Sequence, residues 1–216
     1  FLSIKTARDK ARAEHPEITA PVIVVPESVH PAFQKAAHYL DVLTVITPVR
    51  EDKRADPEAI RRSVTPDTIL LAASAPCFPH GVIDPITEIA DIALEKTILF
   101  HVDACMGGMF LPFAARLGYP IPLFDFLVPG VTSISSDLHK YGYSPKGASV
   151  ILYRDRAIRR HQFFASTDWP GGLYGSTGFS GSRSGGPVAA AWATLMNLGS
   201  EGYLKMARNV METSRK

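Results

Sequence analysis

Three side chains that could act together on one small molecule stand just beyond apolar, β-branched runs: His30, Asp103 and Lys140. A lysine amine can bond a carbonyl carbon and afterwards carry protons. A carboxylate can pair with a ring N–H, and an imidazole can lie flat against a ring. Each has an ordinary explanation when taken singly. An Asp after a strand is commonly a turn or cap residue, and a lysine is usually a solvated charge. His30, just before Pro31, fits a helix start facing water. The coincidence at strand ends gives the three their weight, because open parallel sheets bind ligands beyond the carboxyl ends of their strands.

The elements that must deliver them are legible. Residues 21–25, 42–49, 68–74, 97–102, 131–135 and 148–153 read as strands by their β-branched content, with 68–74 apolar on both faces. Between them lie helical patterns. From about Pro31, the residues Phe33, Ala36, Ala37 and Leu40 recur at helical spacing. Asp56-Pro57 predicts an N-cap and first helical residue, and Asp84-Pro85 repeats that device before Ile86, Ile89, Ala90, Ala93 and Leu94. The chain begins and stops inside helical patterns, so it is expected to be a piece lacking residues at both ends. From Asp168 to Gly186 the composition turns to Gly, Ser, Thr and Pro, which predicts a long loop, with a helix over 187–198 after it. Strand and helix in alternation predict an α/β fold with a mainly parallel sheet sandwiched by helices.

The charge balance, Lys+Arg 23 against Asp+Glu 21, gives no basic footprint for nucleic acid. No apolar run approaches the roughly 18 residues of a membrane span. Cys77 and Cys105 form no metal or redox spacing and suit a reducing cytosol. The expected compartment is cytoplasmic, with an anchor upstream of Phe1 left open. His101 and Asp103 share a strand face, but no third ligand stands at a suitable spacing, so no metal is expected. Cys105 reads as a small core residue, since no base is positioned for it. The phosphate-loop, dinucleotide, hydrolase-elbow and zinc-protease motifs are absent.

Pyridoxal 5′-phosphate is the cofactor whose chemistry uses this set: an amine for its aldehyde, a carboxylate for its pyridine nitrogen, a flat side chain over its ring and donors for its phosphate. Phe100-His-Val-Asp-Ala-Cys-Met-Gly-Gly108, together with Ser133-Ile-Ser-Ser-Asp-Leu-His-Lys-Tyr-Gly142, resembles the paired signature of the group II pyridoxal-phosphate decarboxylases. Four further stretches, at 75–85, 141–147, 167–172 and 181–186, resemble the sphingosine-1-phosphate lyase branch of that family, and the likeness covers essentially the whole chain.

The resemblance implies a pyridoxal-phosphate-binding large domain of fold type I over 1–216, incomplete at both ends. It implies that Lys140 bonds the cofactor and that Asp103 pairs with the pyridine nitrogen, with Ala104 packed near the ring. His30 would stack on the ring, and His139 would assist at the cofactor phosphate. Lys146 would be a second lysine associated with activity, and Ser176 would reach a phosphate across a dimer interface. A family loop that holds the cofactor phosphate upstream of Phe1 is not in this chain.

The activity implied is lysis of a phosphorylated long-chain base at C2–C3, giving a long-chain aldehyde and phosphoethanolamine. The base for the C3 hydroxyl is left among Lys140, His139, Lys146 and a substrate phosphate oxygen. A homodimer with a shared active site is expected. Phe163, Phe164, Trp169, Leu173 and Tyr174 near the 168–186 loop offer an interface, the plainer reading being core beneath that loop. The rival activities are amino-acid decarboxylation, with Arg183 as the carboxylate anchor, and a silent dimerisation module of the same fold.

Overall fold

The computed structural model describes residues 1–214. Strand β3 (Thr68–Ser74) is buried along its whole length, and its alternation explains the layers. Leu71 and Ala73 enter one apolar core, while Leu70 and Ala72 enter another on the opposite face. The first core is closed by α3 (Pro57–Ser63) and α4 (Ile86–Lys96), through Ile60, Ile86, Ile89 and Ala93. The second is closed by α1 (Leu2–Glu14) and α2 (Ala32–Leu40), through Ile4, Ala7, Phe33, Ala36 and Leu40. Each fully buried aliphatic side chain contributes about 1.5–3 kcal/mol, so a sheet covered on both faces is the stable answer to a strand with no polar face.

The six-stranded sheet runs in the order β2 (Leu43–Thr47), β1 (Val22–Pro26), β3, β4 (Leu99–Asp103), β5 (Ser133–Asp137), β6 (Ser149–Tyr153). Pairs up to β4–β5 are parallel, and β6 is antiparallel to β5. The carboxyl ends of β1, β3, β4 and β5 therefore share one rim. On β4 and β5 the two faces differ. Phe100, Val102 and Ile134 join the first core, whereas His101, Asp103, Ser133, Ser135 and Asp137 alternate with them. The second core stops at Leu99, and polar side chains occupy the rest of that face.

Between β4 and β5 in sequence lies α5 (Leu111–Arg116), and after β6 come α6 (Arg156–Arg159) and a short 3-10 turn at Arg160–Gln162. Lys5 on α1 donates to the carbonyls of His161, Gln162 and Phe163, tying that turn to the sheet's cover.

Several expectations are corrected. Asp84 is not a helix cap. Its Oδ1 accepts from the Ala55 amide and its Oδ2 from the Ser74 amide, both at 2.8 Å, so it staples β3 to the segments before α3 and α4. Asp56 does cap α3, accepting from Glu58 and Ala59. Leu94 is exposed, and Ile92 takes its place in the core. The segment 168–186 is not wholly loop, since β8 (Tyr174–Ser176) pairs antiparallel with β7 (Phe164–Ser166). Phe163, Phe164, Trp169, Leu173 and Tyr174 are all exposed, which removes the reading of core beneath a loop. The helix expected over 187–198 is present: α7 (Gly185–Thr213) is broken at Gly199, whose φ of 53° and ψ of −173° lie outside helical space, and the helical pattern near the chain's end continues beyond that break.

Candidate active site

The polar part of the α1/α2 face opens at the rim into a cavity of about 850 Å³. His30, Asp103 and Lys140 line it together, with His101, Cys105, Ser135, Asp137, Tyr141, Tyr143 and Ser149. Strand ends explain the convergence. β4 ends on Asp103, the turn after β5 carries Lys140, and His30 lies four residues past β1.

Asp103 is held on one side only. Its Oδ1 accepts from the Cys105 amide at 3.1 Å and from the Ser135 hydroxyl at 3.0 Å. Among the described residues its Oδ2 takes no hydrogen bond, which leaves one carboxylate oxygen for a ring N–H. Behind it His101 is buried between two hydroxyls, Nδ1 at 2.8 Å from Ser133 Oγ and Nε2 at 3.2 Å from Ser135 Oγ. Burial pushes the His101 pKa down to about 4, against the pull of Asp103, so its ring is neutral near pH 7. Because Ser135 spends its proton on Asp103, His101 Nε2 must be the donor to Ser135 and Nδ1 the acceptor from Ser133. The donors thus run in one direction, toward Asp103. Cys105 is no nucleophile here, for burial and the neighbouring Asp103 push its thiol up to about 12.

Lys140 Nζ lies 3.0 Å from Asp137 Oδ2. Burial opposes its charge, but the hydrogen bond to Asp137 and the negative charges of Asp137 and Asp103 leave its pKa above the ordinary lysine value. Asp137 itself is buried, which would raise it, yet hydrogen bonds from Ser149 and Lys140 and the charges of Lys140 and His139 hold it below the usual carboxylate range. His139 donates from Nδ1 to the Ala148 carbonyl at 2.7 Å, which turns Nε2 toward Asp137 Oδ2 at 3.6 Å. His30 is anchored by Nδ1, which accepts from the Ala32 amide at 3.1 Å.

Ala104 is fully buried and sits behind the cavity, not in its lining. Lys146 is exposed and is not among the lining residues. Nor is Ser176, whose hydroxyl donates to the Gly178 carbonyl at 3.0 Å within its own hairpin. Arg183 is exposed and reaches Thr177 Oγ1. Sequence reasoning missed Asp137, Ser135 and Ser149. The signal was present: Asp137 is three residues before Lys140, and Ser133, Ser135 and Asp137 keep the period of two that puts them on one face with each other.

The arrangement fits the aldehyde and ring of pyridoxal 5′-phosphate: an amine, a carboxylate oxygen without a partner and an imidazole around one cavity. Comparison with known proteins gives the same direction. The family described as the pyridoxal-dependent decarboxylase conserved domain matches residues 2–216. The chain is 52% identical over 215 residues to a sphingosine-1-phosphate lyase of Arabidopsis thaliana, covering 100% of this chain and 39% of that protein. It is 47% identical over 216 residues to sphingosine-1-phosphate lyase 1 of Rattus norvegicus, covering 100% of this chain and 38% of that protein. Among solved structures, a sphingosine-1-phosphate lyase of Burkholderia pseudomallei is 50% identical with a TM-score of 0.95, over 98% of this chain and 48% of that one. A glutamate decarboxylase of Lactobacillus brevis shares the fold, at 20% identity and a TM-score of 0.80, over 96% and 49% of the two chains. The chain therefore spans well under half the length of the curated relatives it matches.

Proposed function

The chain belongs to the pyridoxal-dependent decarboxylase family, and on that premise we propose that it forms the cofactor-binding part of a sphingosine-1-phosphate lyase, cleaving a phosphorylated long-chain base to a long-chain aldehyde and phosphoethanolamine. The observation that carries the reading is the meeting of Lys140, Asp103 and His30 on one cavity in a chain 52% identical to such a lyase.

When bound, pyridoxal 5′-phosphate supplies a ring that accepts the electron pair left at C2 when C2–C3 breaks. This chain's residues do the rest. Lys140 would hold the cofactor by its aldehyde and move a proton at Nζ. Asp103 presents Oδ2 to the pyridine nitrogen, its orientation set by the Ser135 hydroxyl and the Cys105 amide. The His30 ring, fixed through Nδ1, would cover one face. His139 gives Nδ1–H to Ala148, so Nε2, which faces Asp137, is the atom that could exchange a proton, and His139 would assist at the cofactor phosphate. The C3 hydroxyl gives up a proton and C2 gains one, so protons balance over the reaction. Lys140 lines the cavity, and His139, outside the lining, reaches Asp137 on its wall, so these two are the groups we favour to move them.

Ser176 enters the same reading through a second subunit, and Lys146 stays in it as a second lysine associated with activity. We assign Ser176 to the phosphate of a partner's cofactor in a homodimer with shared sites, supported by the exposed aromatic side chains around it. The segment 1–216 is then the large domain, acting in the cytoplasm or on its face of a membrane, and no helix among the described residues is long and apolar enough to span one.

The test uses the full-length protein with pyridoxal 5′-phosphate added. Visible absorption removed by borohydride, and release of a long-chain aldehyde from phosphorylated sphingoid bases, are the expected results. Carbon dioxide from aromatic or acidic amino acids, with no aldehyde from sphingoid bases, overturns the lyase reading in favour of a decarboxylase.

A further inference from the structure

The mechanism above does not use the carboxylate best placed to act on its lysine. Asp137 ends β5, is 8% exposed, and receives three groups at once. Ser149 donates to its Oδ1, while Lys140 Nζ at 3.0 Å and His139 Nε2 at 3.6 Å face its Oδ2. The spacing comes from the chain itself, since one turn separates 137 from 140 and the strand end fixes the first of them. A buried carboxylate is costly without partners, and its location between the lysine and the adjoining strand β6 gives it partners on both sides.

We propose that Asp137 is a positioning residue that holds the Lys140 amine as an ammonium at the cavity rim whenever that lysine is not bonded to the cofactor. The proposal rests on the reading of Lys140 as the cofactor lysine. An amine must lose its proton before it can bond a carbonyl carbon, so Asp137 sets the pH at which Lys140 becomes able to do so. Asp103 on the β4 side acts in the same sense as Asp137, and His30, His101, Cys105, Tyr141 and Tyr143 are the other titratable groups around the cavity. Among the described residues none of these forms a hydrogen bond with Nζ, so the carboxylate of Asp137 is the decisive neighbour.

The experiment is trace acetylation of the full-length, cofactor-free protein with acetic anhydride across pH, read lysine by lysine by mass spectrometry. Lys140 in the native protein is expected to reach half-maximal reactivity at a higher pH than free N-acetyl-lysine amide in the same tube. In Asp137→Asn its reactivity at pH 8 should rise roughly five- to tenfold, a unit of pKa being about a factor of ten in free amine. Asp137→Glu should restore the slow rate. Lys5, held by three carbonyls, reports the fold and should stay protected in every variant.

If Lys5 is protected and Lys140 reacts equally in native and Asn proteins, the proposal is overturned. Should Asp137→Asn fail to fold, the native profile still decides, because a Lys140 midpoint at or below that of the free amine overturns it. A parallel sample receives pyridoxal 5′-phosphate and borohydride. Cofactor trapped on a lysine other than 140, with acetylation still governed by Asp137, leaves the ion pair standing and removes the cofactor role. Cofactor trapped on Lys140, with acetylation indifferent to Asp137, does the reverse.

Discussion

The rim of β4 and β5 and the hairpin of β7 and β8 both offer hydroxyls and charged groups, but they hold them in different ways. At the rim Asp103, His139 and Asp137 are each fixed by a group from elsewhere in the chain. Ser135 on β5 holds Asp103 on β4, Ala148 before β6 holds His139, and Ser149 on β6 holds Asp137. On the hairpin the Ser176 hydroxyl donates to Gly178, two residues away, and Phe164, Trp169 and Leu173 stand exposed around it. Neighbouring strands make the rim rigid, and rigidity is what a site needs to keep reacting atoms in place. The hairpin has the composition of a surface that finishes folding against something else.

Four substitutions sharpen or break that contrast. The largest effect is expected at Lys140, where Lys140→Ala should abolish borohydride-trappable pyridoxal 5′-phosphate. Covalent cofactor found on Lys146 instead would move the chemistry off the rim.

Asp103→Asn comes next. The amide keeps the shape but replaces a charge-assisted hydrogen bond, a loss of about 1.5–3 kcal/mol, or roughly ten- to a hundredfold in turnover. The cofactor should stay bound. Near-normal steady-state turnover in the Asn protein would take Asp103 out of the mechanism.

On the hairpin, Leu173→Glu should weaken self-association about tenfold in sedimentation experiments, while thermal stability of the subunit moves by no more than about 0.5 kcal/mol, as at other exposed sites. A large loss of stability without a change in association would make Leu173 a core residue of its own subunit.

The smallest effect is the most specific. Subunits carrying Lys140→Ala are mixed with subunits carrying Ser176→Ala, each inactive or impaired alone. With shared sites, one of the two sites in a mixed dimer has both natural residues, so about half of the native activity per mixed dimer should return. Mixing without recovery would confine Ser176 to its own subunit.

Much of the rim was legible in sequence because its cause is local. Asp103 and Lys140 follow β-branched runs, and a run apolar on both faces such as 68–74 has only a doubly covered sheet to enter. Asp137 was passed over because the strand was ended at 135, which placed it in a turn when it is the last residue of β5. Asp84 misled for a related reason. An Asp before a Pro is a good helix start, but tertiary contact with two buried amides won over the local preference. The hairpin was missed because β7 and β8 have three residues each, too few for any period to show, and Gly, Ser and Thr around them read as loop.

Asp84 has one more consequence, which concerns ionic strength. At 1% exposure its two oxygens meet backbone amides where dissolved ions cannot gather. Screening acts over about 8 Å in physiological salt, but through water. The staple that fixes the end of β3 should therefore hold alike in dilute and concentrated buffer. The Lys140–Asp137 pair, whose lysine is 37% exposed, should loosen as salt is added. Raising the salt concentration thus separates the frame of the site from its working parts without changing a residue.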